Sequence, residues 1–366
     1  MEHGDAGRGA ARPMVVRVPV EPVEAAVEAD ALDAVARTGN LVVRGPLFGV
    51  AAQGDGDGHV WRVIVAVTLG CPQQARDSLN SRLWFRAKDD VDDPAERRAL
   101  LAAVAVLESE HIDELAVAGT RYRIVRAEEY AAVGALGEME GPRPTDAEPL
   151  VPDWSRGARG PAVDDGLVLD PAAPVTPTQV AEQLALRDLC YSGDRFPKDV
   201  LADSRRAVTA HPDILLLPPT FTVVEQSTNS WAPVSGPHAT AHAARRSLDF
   251  ALTWAWPRMN GLIPVDGPME ADARTETETE TETEGDGGAR KAGPLAEYAE
   301  AAASLRVGRV NRLEFRGTVY QIARTRRLLR WGADGPEGPR PSDVNTQEPT
   351  RLHPLLDEDG HIVSSD

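Results

Sequence analysis

Between Pro94 and Leu115 the apolar positions Leu100, Val104, Leu107 and Leu115 recur three or four residues apart, with His111 in the same stripe. That is the period of one helix face. Asp93-Pro94 ahead of it supplies an N-cap and a first-turn proline. Elsewhere the period changes. Pro46–Ala52 alternates as a strand does, Val60–Thr68 is β-branched, and Gly54-Asp-Gly-Asp-Gly58 between them predicts a hairpin turn. Glu24–Thr38 and Pro72–Phe85 read as helices. Leu115-Ala-Val117, the turn Ala118-Gly119 and Arg121–Tyr130 predict a second hairpin. The order is α-β-β-α-α-β-β, with four strands joined by tight turns. It implies the α+β class, an antiparallel sheet with helices packed on one face.

The pattern then recurs. Gly119-Thr120, Tyr122, Ile124, Arg126 and Gly134 return as Gly317-Thr318, Tyr320, Ile322, Arg324 and Gly332, at a constant offset of 198. Leu107 and Leu115 return as Leu305 and Leu313, and Gly141-Pro-Arg-Pro-Thr-Asp146 as Gly338-Pro-Arg-Pro-Ser-Asp343. In the front parts Asp30, Ala34, Pro46, Phe48 and Trp61 correspond to Asp203, Ala207, Pro219, Phe221 and Trp231, and Arg76, Ser78 and Leu79 to Arg245, Ser247 and Leu248. The matches keep their order, which predicts a tandem duplication of one unit in a pseudo-twofold arrangement. The expected layout is a disordered segment 1–28, a first unit 29–149, a Pro/Gly/Asp-rich linker 150–201 that partly packs, a second unit 202–349 and a tail 350–366. Within the second unit, 264–293 is an insertion holding five Thr-Glu pairs. Its charge and lack of apolar residues predict disorder.

Composition narrows the function classes. The 366-residue chain carries a net charge of −18, which argues against general binding to nucleic acid or anionic membranes. Aromatic residues are 5%, so the cores must be built mainly of Ala, Val and Leu. Cys71 and Cys190 have no disulfide or metal spacing. The chain has no run of 18 apolar residues and no apolar signal core after Met1, so the expectation is a cytoplasmic protein without a membrane partner.

Candidate chemistry is sparse. The alternating prolines of the two Gly-Pro-Arg-Pro segments hold a short extended strap that exposes Arg143 and Arg340, with Asp146 and Asp343 closing a turn. The structural reading is a strap crossing its own sheet; the functional one presents both guanidinium groups to an anionic ligand or partner. Surface charge reverses between the copies: Glu108, Glu114, Glu128 and Glu129 align with Arg306, Arg312, Arg326 and Arg327, and eight arginines fall between Leu305 and Trp331. Either the Arg face of one unit docks face to face on the Glu face of the other, or it stays free for an acidic partner, phosphate or nucleic acid. His238 and His242 have the i, i+4 spacing of a helical metal pair but no third ligand, so no metal or cofactor is expected. His111 with Asp113 and Glu114 is better read as a partly packed side chain than as acid–base apparatus. Trp61 and Trp231 are expected to anchor equivalent cores.

Ala75-Arg-Asp-Ser-Leu79, the Ala-rich helix leading to Asp113-Glu-Leu-Ala-Val-Ala-Gly-Thr-Arg-Tyr-Arg-Ile-Val-Arg126, and the two Gly-Pro-Arg-Pro segments resemble a domain-of-unknown-function family of soluble proteins from high-GC soil bacteria. The resemblance spans about residues 29 to 349. It implies the two-part layout and no activity, so no catalytic residue can be carried over. The resulting expectation is a non-enzymatic binding or protein-interaction protein, its site between the repeats, its partner a protein or a small anionic ligand. The residues expected to bind are Arg126, Arg143, Asp146, Arg324, Arg326, Arg327, Arg340 and Asp343. The alternatives are an enzyme acting on a small anionic substrate in that groove, and nucleic-acid binding through 305–331.

Overall fold

The computed structural model describes residues 12–363 apart from 38, 136, 228–229, 269, 276–292 and 358. Most of the Thr-Glu run therefore lies outside the described residues. The first half holds α1 (Pro22–Arg37), β1 (Asn40–Gly54), β2 (Trp61–Leu69), α2 (Pro72–Phe85), α3 (Pro94–Leu107), β3 (Glu114–Val117) and β4 (Thr120–Val133). Asp93 caps α3 by accepting from Ala95 N at 3.0 Å. The connecting segment contributes β5 (Val168–Leu169) and α4 (Pro177–Leu186), the latter started by a Thr176–Gln179 capping box. The second half holds α5 (Lys198–Ala210), β6 (Asp213–Ser227), β7 (Ser230–Pro233), α6 (Ala241–Phe250), α7 (Trp256–Met259), α8 (Pro294–Gly308), β8 (Arg312–Phe315), β9 (Thr318–Gly332) and β10 (Gly335–Pro336). A single π-helical turn follows both α2 (Arg86–Asp90) and α6 (Ala251–Ala255). At the β3–β4 and β8–β9 hairpins, Ala118-Gly119 and Arg316-Gly317 take left-handed backbone angles, the geometry a two-residue turn between twisted strands requires.

These strands form one sheet of order β5-β2-β1-β4-β9-β6-β7, with β3 on β4 and β8 and β10 on β9. Each named strand pair is antiparallel. The α+β class with an antiparallel sheet is thus the observed one. The halves meet edge to edge, Ala127 opposite Leu329 and Glu129 opposite Arg327, not face to face as the charge reversal suggested. The physical reason is the edge itself. β4 and β9 each run 14 or 15 residues, and the edge left open by β3 and β8 is closed by four positions of β4–β9 pairing and by backbone bonds to Glu337 and Glu140.

Three main cores follow from the alternation of side chains across the sheet. Phe48, Val50 and Ile124 pack under α2 and α3; Phe221, Val223 and Ile322 pack under α6 and α8. Val125 and Ala127 point the other way, into a core shared by Trp61 of the first half, Leu329 and Trp331 of the second, and Leu169 of the connecting segment.

Several expectations change. Helix α3 stops at Leu107, where Ser109 Oγ donates to Ala105 O at 3.0 Å, so Leu115 belongs to β3 and His111 sits half-exposed in the connection, facing Glu348 at 3.5 Å. Trp231 lies partly buried on the edge strand β7, its indole N–H donating to Gly137 O at 2.8 Å; Trp331, not Trp231, joins Trp61 in a core. Order begins before residue 29, with Val16 bridging Val175 and α1 starting at Pro22. Within the insertion Ala273 is fully buried. His238 precedes α6 and pairs through its backbone with Phe221, so it shares no helix with His242. The tail packs on α2: Trp84 Nε1 donates to Pro354 O at 3.0 Å and its ring stacks on His353 at 4.6 Å. Among the described residues no helix is long and apolar enough to cross a membrane.

Candidate functional site

The arginines and aspartates singled out in the sequence come together at the β4–β9 seam, but each strap crosses the opposite half. Arg126 N donates to Glu337 O at 2.9 Å and Arg324 N to Glu140 O at 2.7 Å, which seats the second strap on β4 and the first on β9. In the first strap Arg143 N donates to Asp146 Oδ2 at 2.7 Å, the Arg143 guanidinium pairs with Glu140, and Asp146 accepts from Arg324 Nε at 3.0 Å. In the second, Arg340 N donates to Asp343 Oδ2 at 2.7 Å, Arg340 Nε donates to Glu337 Oε1 at 2.7 Å, and Asp343 accepts from Arg126 Nε at 2.8 Å. The expected crossing of each strap over its own strands is corrected to an exchange between halves.

The two crossings differ in charge. Glu128 is buried and bridges Arg126 at 2.6 Å and Arg340 at 3.1 Å. Burial opposes the Arg126 charge, but Glu128 and then Asp343 outweigh it and hold its pKa above the ordinary value. At the position aligned with Glu128 stands Arg326, which pairs with Glu182 of α4. There burial, and then the charge of Arg326, holds the Arg324 pKa below the ordinary value. Arg324 Nη1 is buried with no hydrogen-bond partner. Arg327 is fully buried against Asp164 of the connecting segment at 2.5 and 2.8 Å, and Arg330 donates to Arg187 O and Leu189 O. The arginine-rich strand β9 is thus occupied by ion pairs and carbonyls, several supplied by residues 150–201.

A different concavity is lined by cationic groups. A cavity of about 310 Å³ opens beside α6, walled by Trp154 of the connecting segment, Phe250, and four arginines, Arg156, Arg246, Arg274 and Arg306, with Asp249 the one carboxylate of its lining. Asp249 is engaged by Arg306 through two contacts of 2.7 Å. Asp272, behind the lining, accepts from Arg156 at 3.0 Å and Arg274 at 2.8 Å. Arg274 Nη1 and His238 Nε2 are buried without a hydrogen-bond partner. Arg246 makes no ion pair or hydrogen bond among the described residues. Burial, and then the neighbouring Arg246, keep the His238 pKa below the ordinary histidine value, so the ring is neutral near pH 7. Four arginines and one carboxylate line this concavity, a local excess of positive charge in a chain of net charge −18.

Of these cavity residues only Arg306, in the arginine-rich segment, and His238, weighed as a metal ligand, stand out in the sequence, and neither is among the residues expected there to bind. Trp154, Arg246, Arg274 and Arg306 lie on four separate segments, and only the fold joins them. One signal was present: Thr253 occupies the position that the Arg76–Arg245 alignment assigns to Trp84. A second cavity, of about 190 Å³, lies where β5, α4 and the start of β6 meet. Its walls are largely apolar, leucines and prolines among them, and its Arg12 already faces Asp213 at 3.8 Å.

The model of DUF5954, a family of unknown function, matches residues 21–346, and the chain belongs to that family. No curated protein and no solved structure matches it.

Proposed function

We propose that this is a non-enzymatic, cytoplasmic binding protein whose site is the arginine-lined cavity beside α6, with a small anion as ligand. The observation that carries the reading is the lining: Arg156, Arg246, Arg274 and Arg306 stand with a single carboxylate, Asp249, around a concavity large enough for a small molecule, and Arg246 makes no ion pair or hydrogen bond among the described residues. Anions are held where fixed cations converge out of bulk water.

We also read the chain as a duplicated unit, and that reading sharpens the first. The exchanged straps run on over the opposite half, so the tail covers α2 and the connecting segment covers α6: Arg76 donates to Asn345 at 3.1 Å, and Arg245 to Glu148 at 2.5 Å. On α2 the space is plugged by Trp84 stacked on His353. On α6 the aligned residues are Thr253 and Arg156, which are smaller and cationic respectively. Asp77 and Glu108 likewise give way to Arg246 and Arg306. Trp154 stands at the position of Arg351, so the balance of these exchanges is a smaller side chain at Thr253 and added positive charge at Arg156, Arg246 and Arg306, a pattern that favours ligand binding over packing.

Little supports the other readings. An enzyme using Arg126, Arg143, Arg324 and Arg340 would need groups now held by Glu128, Glu140, Asp146, Glu337 and Asp343. Nucleic-acid binding through 305–331 would draw on Arg326, Arg327 and Arg330, of which Arg326 pairs with Glu182 and the other two are buried, while Arg309, Arg312 and Arg316 of that segment are exposed. The test is thermal unfolding of the full chain with millimolar anions of varied chemistry, beside Arg246→Glu. A ligand at 100 times its Kd stabilises by about 2.7 kcal/mol, so at least one anion should raise Tm in the wild type and not in R246E. No anion raising Tm beyond the effect of matched ionic strength would overturn the assignment.

A further inference from the structure

Resting on that reading, we infer that the ligand is a phosphate monoester carrying a planar ring. Donor side chains line the cavity from four different segments: Arg246 and Ser247 from α6, Arg306 from α8, Arg274 from the insertion and Arg156 from the connecting segment. A carboxylate is planar and is satisfied by one guanidinium fork in its own plane. Donors converging from several directions instead suit a tetrahedral oxyanion, whose oxygens point apart. Three of the four arginines form ion pairs with two carboxylates, Asp249 and Asp272, and Arg246 with neither, so the excess of two positive charges matches the charge of a phosphate monoester near pH 7, close to −2. Asp249 in the lining sets an upper limit, because a longer polyphosphate would bring further negative charge against it.

The ring follows from the wall. Phe250 lines the cavity and is 42% exposed, with one face stacked on Trp254 at 5.1 Å and 17°. An aromatic ring fixed from behind, with its other side open at the rim, offers a stacking surface to a planar ligand group. Stacking of this kind is worth about threefold to tenfold in affinity.

The experiment is calorimetric titration of the full chain with inorganic phosphate, phenyl phosphate, sulfate, acetate and succinate at constant ionic strength, repeated on Arg246→Glu, Ser247→Ala and Phe250→Ala. All three positions are on the outer side of α6, and circular dichroism confirms that each variant folds. Phenyl phosphate should bind tightest, about threefold to tenfold tighter than phosphate. Phe250→Ala should remove that increment alone, and Arg246→Glu should weaken both by tenfold or more. If acetate or succinate binds as tightly as phosphate, with the same loss in R246E, the phosphate assignment is wrong while the anion site stands. If phosphate and phenyl phosphate bind equally, or F250A changes neither, the ring is wrong. If no anion binds, both this inference and the site itself fall.

Discussion

Asp164 shows what a single buried charge can do in this molecule. It sits in a segment rich in Pro, Gly and Asp, yet neither it nor Arg327 exposes any side-chain surface, and it also accepts from Val67 N at 3.0 Å. Removing one member of such a pair leaves the other charge buried and unmatched, which costs about 3–5 kcal/mol. Asp164→Ala is therefore expected to lower the urea-derived unfolding free energy by that amount, and Asp164→Ala with Arg327→Met to recover much of it. A loss under 1 kcal/mol for the single variant would show the pair to be dispensable. His211 and His238 give a second residue-level expectation. Both have folded pKa values below the ordinary value of about 6.5, in each case through burial first; Arg246 adds to this at His238, whereas Glu337 and Asp334 work against it at His211. The unfolded chain therefore takes up protons below about pH 6.5 that the folded chain refuses, and stability is lost as pH falls through that window. Unfolding free energy should drop by on the order of 1 kcal/mol between pH 7.5 and 5.5, and by less in the His211→Gln, His238→Gln double variant. Identical pH dependence in the two proteins would refute the assignment.

Elements were legible where one local signal set them. Pro72 and the apolar period beyond it placed α2 at Pro72–Phe85, as observed, and Ala118-Gly119 marked its hairpin because the turn needs left-handed angles. The end of α3 was not legible, since Leu115 of β3 falls by chance in the helical phase of Leu100, Val104 and Leu107. The strap partners were hidden for a deeper reason. Asp146 meets Arg324, 178 positions away, and nothing local distinguishes that pairing from one within its own half. Once the exchange is known, the straps make an asymmetric prediction. Loss of Asp343 leaves Arg126 paired with Glu128 at 2.6 Å, whereas loss of Asp146 leaves Arg324 with Glu140 at 4.0 Å and an already orphaned Nη1. Asp146→Asn should therefore destabilise by more than Asp343→Asn, with the former near the 3–5 kcal/mol of a broken buried pair. Equal losses by chemical denaturation would mean that Glu128 does not compensate at the second crossing.

On the scale of the whole molecule, the question is whether two halves in one sheet unfold as one. The repeat in sequence suggests two units on a linker, which could melt separately. Three features couple them: the β4–β9 pairing, the core that joins Trp61 to Leu329 and Trp331, and the exchanged straps, which make each half incomplete without the other's chain. The connecting segment adds Leu169, Glu182 and Asp164 to the same seam, so it acts as packing and not as a tether. Separating the halves would expose the shared core and strand buried Arg126 and Arg324 without their aspartates, a cost that falls on both sides at once. Cooperative unfolding follows, and calorimetry should show one transition whose van't Hoff and calorimetric enthalpies agree. Leu329→Ala, at a fully buried position of the shared core, tests the coupling. It should cost about 2–5 kcal/mol and move that single transition to lower temperature without dividing it. If the halves were independent, the variant would shift only the transition of the second half and leave a first-half transition at its wild-type temperature.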